Sequence, residues 1–383
     1  MPDAGNWALI RSPLPQYDVV IVGSGPSGIS TAILLITRIP AIRDRVLVLE
    51  KERHPRKKMC GGGITAYADY WLSRLGLRLP INFLELKRTC FIFDRTDYTE
   101  HVFHGGGFRT VQREEFDYAL VRETVNRGIQ ISQNEPVISF THKDNILAVQ
   151  TPQRSLTARI LVGADGAKSI IRRDLCRNLA MRDPRTVCST LRFMEMGDKS
   201  KGPEDGDLEA VVDFSSTFLH GIHGYAWMFP VVIEGQTWLN TGVVGFNIAP
   251  SRGDSLKEAL RDFLAQRGVS VDESRVEGYP IRWFHPSAIF SGHRVLLVGD
   301  AAGIDPLSGE GISFCLGYGD VAANAIVHAL DSKDFSFTNY REELLQHEVG
   351  RELMNRLELA DKLYRSHRTE AVRDLLLPML SPK

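Results

Sequence analysis

The hexapeptide Gly23-Ser-Gly-Pro-Ser-Gly28, directly after the apolar run Val19–Val22, restricts the fold of this chain more than any other stretch. A continuous β-branched run marks a strand buried on both faces of a parallel sheet. In the turn that follows, Gly23 permits the tight bend, Gly25 lets the backbone approach a pyrophosphate, and Gly28 lets the next helix pack close to the strand. The phosphates would rest on the helix N-terminus, where unpaired N–H groups favour an anion. Val46–Leu49 then supplies a second apolar strand that ends at Glu50. That acid lies about 20 residues past the turn, where a carboxylate binds ribose hydroxyls. The glycine pattern alone is a weak signal, since such a turn also arises by chance. Strand, helix, second strand and terminal acid together predict a dinucleotide-binding unit over 17–50.

A chain of 383 residues has room for two domains, or for one large domain with a second embedded in it. Its formal net charge of −1 gives no basic footprint for nucleic acid. Charge balance does not exclude contact with a membrane surface, although no apolar run is long enough to span a bilayer. The first 16 residues lack the basic start and apolar core of a secretory signal and read as a proline-punctuated lead-in. The five cysteines, Cys60, Cys90, Cys176, Cys188 and Cys315, are scattered and show no Cys-x-x-Cys spacing. Free thiols in a reducing, cytosolic compartment are the simplest account, and no metal site is expected.

Beyond Glu50 a basic segment, Lys51 to Lys58, runs into Met59-Cys-Gly-Gly-Gly-Ile64. This is either a flexible loop or a backbone that must approach a flat ligand closely, with one reactive side chain facing it. Helices are predicted over 66–75, from Arg113 and over 255–266; Phe116, Leu120 and Val121 carry the helical spacing in the second. Arg88–Phe93 and Glu100–His104 read as a strand pair, and 136–140 with 146–149 as a hairpin around Lys143-Asp-Asn145. Two further apolar strands end in glycine–aspartate turns, at Asp165 and at Asp300. Asp300, at a strand's carboxyl end, is placed for the ribityl or phosphate region of a cofactor. Asp165 has the alternative of plain turn and capping chemistry. From Val187 to Pro280 strand formers and aromatics dominate, predicting an inserted antiparallel sheet. Lys199 to Asp207 reads as an exposed loop, and the chain turns helical after Asp320 with a short apolar finish at 375–380.

Three segments together resemble the geranylgeranyl reductase branch of the FAD-dependent flavoproteins that share the aromatic-hydroxylase fold. They are Lys58-Met-Cys-Gly-Gly-Gly-Ile, Gly224-Tyr-Ala-Trp-Met-Phe-Pro, and Gly299-Asp-Ala-Ala-Gly-Ile-Asp-Pro-Leu-Ser-Gly-Glu-Gly-Ile. The likeness covers most of 17–330, while the chain beyond 330 is shorter than in several reductases of this group. It implies an α/β fold: a Rossmann-like FAD-binding domain, discontinuous in sequence (1–75, 105–180, 290–330), an antiparallel substrate-binding sheet (76–104, 181–289) and a C-terminal helical segment (331–383). FAD would be held by Gly23, Gly25, Gly28, Glu50, Lys51, Arg113, Asp165, Gly166 and Asp300. Cys60, Gly61 and Gly62 would also contact the cofactor, and Gly309, Gly311 and Ile312 would back its isoalloxazine ring.

The chemistry the resemblance implies is saturation of C=C bonds in a hydrophobic prenyl chain carried on a diphosphate, lipid, quinone or pigment. Tyr225 and Trp227 alternate along one strand and so share a face. They are expected to line the substrate cavity and to steady positive charge on a protonating alkene. Cys60 is the candidate for proton delivery or substrate positioning, its alternative being a small buried hydrophobe. His220 and His223 are weaker candidates. No second nucleotide motif is visible, so the reductant is expected to be transiently bound NADPH or a reduced ferredoxin-type donor. A monooxygenase or halogenase acting on an aromatic substrate is the competing reading, and a flavoprotein retained for binding a third. A cytoplasmic protein, with room for peripheral membrane contact, follows; oligomeric state is not legible.

Overall fold

The computed structural model describes residues 15–94, 98–102, 108–181, 184, 186–197, 208–246, 255–365 and 373–374. The expected exposed loop at 199–207, the apolar finish at 375–380, the first 14 residues and the end of the predicted strand at 103–104 lie outside them.

The first sheet has eight strands among the described residues. β1 (Tyr17–Val22) runs parallel to β2 (Val46–Leu49) on one side and to β11 (Ser155–Gly163) on the other. β8 (Gln130–Ser132) extends the sheet beyond β2, and β18 (Val295–Leu297) beyond β11, both in parallel. β17 (Ser291–Gly292) closes that edge, and the hairpin β9 (Ser139–Lys143) and β10 (Ile146–Gln150) pairs with the start of β11. Val19, Val20 and Ile21 are completely buried because helices cover both faces. α1 (Pro26–Arg38), which opens on a proline at its first turn, packs along the 21-residue α7 (Ile312–Ser332). α2 (Ala66–Arg74) and α3 (Arg113–Asn126) contact α7 and α1 respectively.

The second sheet runs β16-β12-β15-β14-β13-β5-β6. Its strands are β5 (Arg88–Ile92), β6 (Tyr98–Val102), β12 (Val187–Met196), β13 (Glu209–Asp213), β14 (Gly224–Ile233), β15 (Gln236–Gly245) and β16 (Glu277–Arg282). The expectation of a wholly antiparallel sheet needs correcting at one place, since β13 and β5 pair in parallel. β5 comes from the first third of the chain, so no hairpin forces it antiparallel to β13. Short α5 (Ser215–Phe218) and amphipathic α6 (Ser255–Ala265) pack on one face of this sheet. A small third sheet, absent from the sequence reading, joins β3 (Gly63–Thr65), β7 (Phe108–Thr110) and β4 (Leu84–Leu86). α4 (Ile170–Asn178) follows β11; α8 (Tyr340–Gln346) and α9 (Glu348–Arg365) follow α7. Among the described residues no helix is long and apolar enough to cross a membrane.

Candidate active site

One cavity of about 760 Å³ lies between the two large sheets, its wall drawn from the β1 turn, the glycine loop after Cys60, the loop before α7, β14 and α9. At the β1 end, α1 begins at Gly25 without a side-chain cap, so its first amides face the cavity unclaimed by protein side chains. A Cβ on Gly25 would project into open space, with only the Arg56 guanidinium within 4 Å, at 3.8 Å. The open amides and this space fit an anionic group at a helix N-terminus. Gly28 is different: it does not line the cavity, and a Cβ there would fall 2.0 Å from the Gly23 carbonyl oxygen. Its role is the close packing of α1 on the turn.

Glu50 is buried and accepts hydrogen bonds from the Ser24 amide (2.9 Å) and hydroxyl (2.7 Å) and from the Glu52 amide (3.1 Å). Burial would raise its pKa, yet the Arg56 charge and the Ser24 bonds hold it below the ordinary value, so it stays ionised. Arg56, at 3.8 Å from Glu50, also reaches Asp117 at 3.2 Å, and Asp117 is gripped from its own helix by Arg113 at 2.9 Å. Burial works against the Arg113 charge, but Asp117 and the Cys60 sulfur raise its pKa, so a permanent cation stands beside Cys60. Lys51 lies on the cavity wall with its ammonium exposed and 3.5 Å from Glu52.

The loop carrying Cys60, Gly61 and Gly62 is held from both sides. Gly62 has φ +76°, and a Cβ there would meet the Val111 carbonyl oxygen at 2.3 Å, so only glycine fits. Across the cavity, Asn240 on β15 donates from Nδ2 to the carbonyls of Cys60 (2.8 Å) and Gly61 (3.1 Å). The Cys60 sulfur accepts from the Gly62 amide at 3.4 Å. Trp227 Nε1 lies 3.4 Å from where a Gly61 Cβ would stand, and is buried without a hydrogen-bond partner among the described residues. Asn240 and Arg356 were not singled out in the sequence, because each acts on a loop far away in the chain; Asp305 lies inside the Gly299–Ile312 segment but was given no role there.

Opposite lies the loop presenting Gly309, Gly311 and Ile312. Its hub is Asp305, fully buried, which accepts from the amides of Leu307 (2.8 Å), Ser308 (3.0 Å) and Glu310 (3.2 Å) and from Arg356 (3.0 Å). Arg356 of α9 also reaches Glu310 at 3.1 Å. Asp300 lines the cavity and accepts a weak bond from the Cys315 thiol at 3.6 Å. Asp165 and Gly166 line it too, but the Asp165 carboxylate is engaged by Ser169 Oγ (2.5 Å) and the amides of Ile170 (2.7 Å) and Ile171 (3.2 Å) at the start of α4. Burial raises its pKa despite these bonds. Capping chemistry therefore occupies this carboxylate.

Beyond Cys60 the wall becomes an apolar arm that includes Phe91, Val212, Phe214, Trp227, Phe229 and Ile281. Tyr225 and Trp227 do share a face, with ring centroids 6.3 Å apart. Tyr225 donates to the Ser308 carbonyl at 2.5 Å, and burial drives its pKa far above the ordinary phenol value. It is a neutral donor fixed to the opposite loop, not a source of protons. His220 and His223 do not line the cavity; His220 pairs with Asp262 at 2.8 Å.

Residues 16–196 match the family described as the FAD binding domain. Over 342 residues the chain is 26% identical to digeranylgeranylglycerophospholipid reductase 1 of Methanopyrus kandleri, covering 84% of this chain and 83% of that protein. It is 28% identical over 329 residues to the menaquinone reductase of Mycolicibacterium smegmatis, covering 80% of this chain and 76% of the other. Among solved structures, a geranylgeranyl bacteriochlorophyll reductase-like protein from Thermoplasma acidophilum superposes with a TM-score of 0.77 at 19% identity, covering 96% of this chain and 92% of that one. That likeness is one of fold.

Proposed function

We propose that this chain is an FAD-dependent oxidoreductase of the geranylgeranyl-reductase-like group and that it saturates C=C bonds of a geranylgeranyl-type prenyl chain carried on a diphosphate, lipid, quinone or pigment. The observation that carries the proposal is a single cavity joining a dinucleotide cradle to an aromatic, apolar arm, with Cys60 at the junction. Bound FAD supplies, once reduced, the hydride that adds to one alkene carbon. The α1 N-terminus, Arg56 and Arg113 would hold its ADP part, and residues of the loops at Cys60–Gly62 and Gly309–Ile312 would hold its reactive end. Gly25 leaves the space that such a group requires.

The remaining work belongs to the chain's side chains. The arm excludes water and aligns an extended apolar substrate, while the faces of Tyr225 and Trp227 steady the positive charge that develops as the second carbon takes its proton. Cys60 holds that proton: the residue lines the cavity, whereas the Tyr225 phenol is locked to Ser308. The reductant is transiently bound NADPH or a reduced ferredoxin-type carrier. The test is anaerobic. The FAD-loaded protein is reduced with dithionite, geranylgeranyl diphosphate is added, and both flavin absorbance and product mass are followed. Reoxidation with a gain of two hydrogens per turnover is the expected result. A flavin that stays reduced until oxygen enters, then yields an oxygenated product from an aromatic substrate, would replace this reading with a monooxygenase.

A further inference from the structure

Helix α9 supplies part of the cavity wall. Arg356, Ala360, Leu363 and Tyr364 fall at helical spacing on one face of α9. Leu363 and Tyr364 line the cavity, and Ala360 packs into the same apolar cluster as Phe214 and Trp227. The Tyr364 ring is essentially inaccessible, stacked on Phe246 with centroids 5.2 Å apart, and its hydroxyl donates to the Leu307 carbonyl at 2.7 Å. Two turns earlier, Arg356 fastens the helix to Asp305 and Glu310. The ring is therefore a fixed obstacle on a pinned helix rather than a side chain free to swing aside. We infer that Tyr364 sets how long a prenyl chain the apolar arm admits, a specificity role that rests on the reading of the cavity as a prenyl site. Removing the phenol adds its volume to the arm, because Arg356 and the packing of Ala360 hold the helix backbone in place.

The experiment uses the FAD-loaded full chain and its Tyr364→Ala and Tyr364→Phe variants. The probes are geranyl, farnesyl and geranylgeranyl diphosphates together with the next longer prenyl diphosphate. Binding is measured by calorimetry and reduction by product mass. Tyr364→Phe keeps the ring and is expected to keep the parent's length profile. Tyr364→Ala is expected to shift both binding and kcat/KM toward the longer chain, by about tenfold or more relative to the parent's best substrate, the scale on which a pocket senses small changes in apolar volume. A Tyr364→Ala profile that superposes on the parent's overturns the inference. Should the alanine variant fail to retain FAD, Tyr364→Leu is read by the same criteria. A length shift in binding with no reduction of any chain by the parent would keep the wall and remove the reductase reading. Reduction with an unshifted profile would do the reverse.

Discussion

Asn240 offers the most direct test of how the Cys60 loop is held. Its amide donates two hydrogen bonds to the Cys60 and Gly61 carbonyls in a buried setting, while its own Oδ1 has no partner among the described residues. In Asn240→Ala the two lost bonds cost about 1 kcal/mol each, and removing the stranded oxygen returns about 1 kcal/mol or more. The net destabilisation is then only about 1 kcal/mol or less. Asn240→Asp differs by one group, yet it turns a carboxylate toward two carbonyl oxygens, so it is expected to cost more than alanine, about 3 kcal/mol. The order parent, alanine, aspartate should appear in urea unfolding of the FAD-loaded protein. It should also appear in turnover, where a loop displaced by about 1 Å costs about a hundredfold. A variant Asn240→Asp as stable and active as Asn240→Ala would refute the assignment of the two donor bonds.

Cys60→Ala should retain FAD, seen as an unchanged flavin absorbance, while turnover falls by about a hundredfold or more; unchanged turnover removes Cys60 from the chemistry. Glu50→Ala should weaken FAD binding measured by flavin fluorescence, and full occupancy would contradict its ribose role. Gly62→Ala forces a Cβ onto the Val111 carbonyl and should cost both flavin retention and melting temperature. For Asp320, burial would raise the pKa, but His347 at 3.0 Å and Arg38 at 2.6 Å hold it at about 2, against 3.8 normally. A depressed carboxyl stabilises the fold above its unfolded value and loses that contribution as pH falls toward 2; the amount is about 2 kcal/mol. Asp320→Asn should flatten the acid limb of stability between about pH 4 and 2, and an unaltered limb in urea titrations would contradict the coupling.

The elements that could be read from the sequence are those whose signal is local. The Val19–Val22 run, the glycine turn, the helical spacing at Phe116 and Leu120, and the alternation that puts Tyr225 and Trp227 on one face each need only neighbouring residues. Every predicted cofactor residue except Gly28 does line the one cavity. The reading fell short where function depends on a partner far along the chain. Asn240 clamps a loop 180 residues away, and Arg356 fastens one some 50 residues earlier. Neither contact leaves a periodicity. Asp165 shows the opposite problem: the same side chain serves a turn and a cofactor site equally well in sequence, and in the structure its carboxylate caps α4 while the residue also lines the cavity. The parallel pairing of β5 with β13 is likewise decided by how distant segments meet.

The order of the parallel sheet also bears on how this protein is made. Leu161–Gly163 of β11 pairs with Val295–Leu297 of β18, so this edge is completed only when a strand beginning 132 residues after Gly163 (295 minus 163) has been synthesised. At about 5–20 residues per second, the nascent chain carries an apolar, unpaired strand edge for roughly 7–26 s. During that time the inserted sheet can fold while the first sheet still lacks its neighbour. An exposed parallel edge is a template for pairing with another chain. Recovery of native protein in a heterologous host should therefore respond to translation speed and to chaperones that shield strand edges more than to any change at the folded surface.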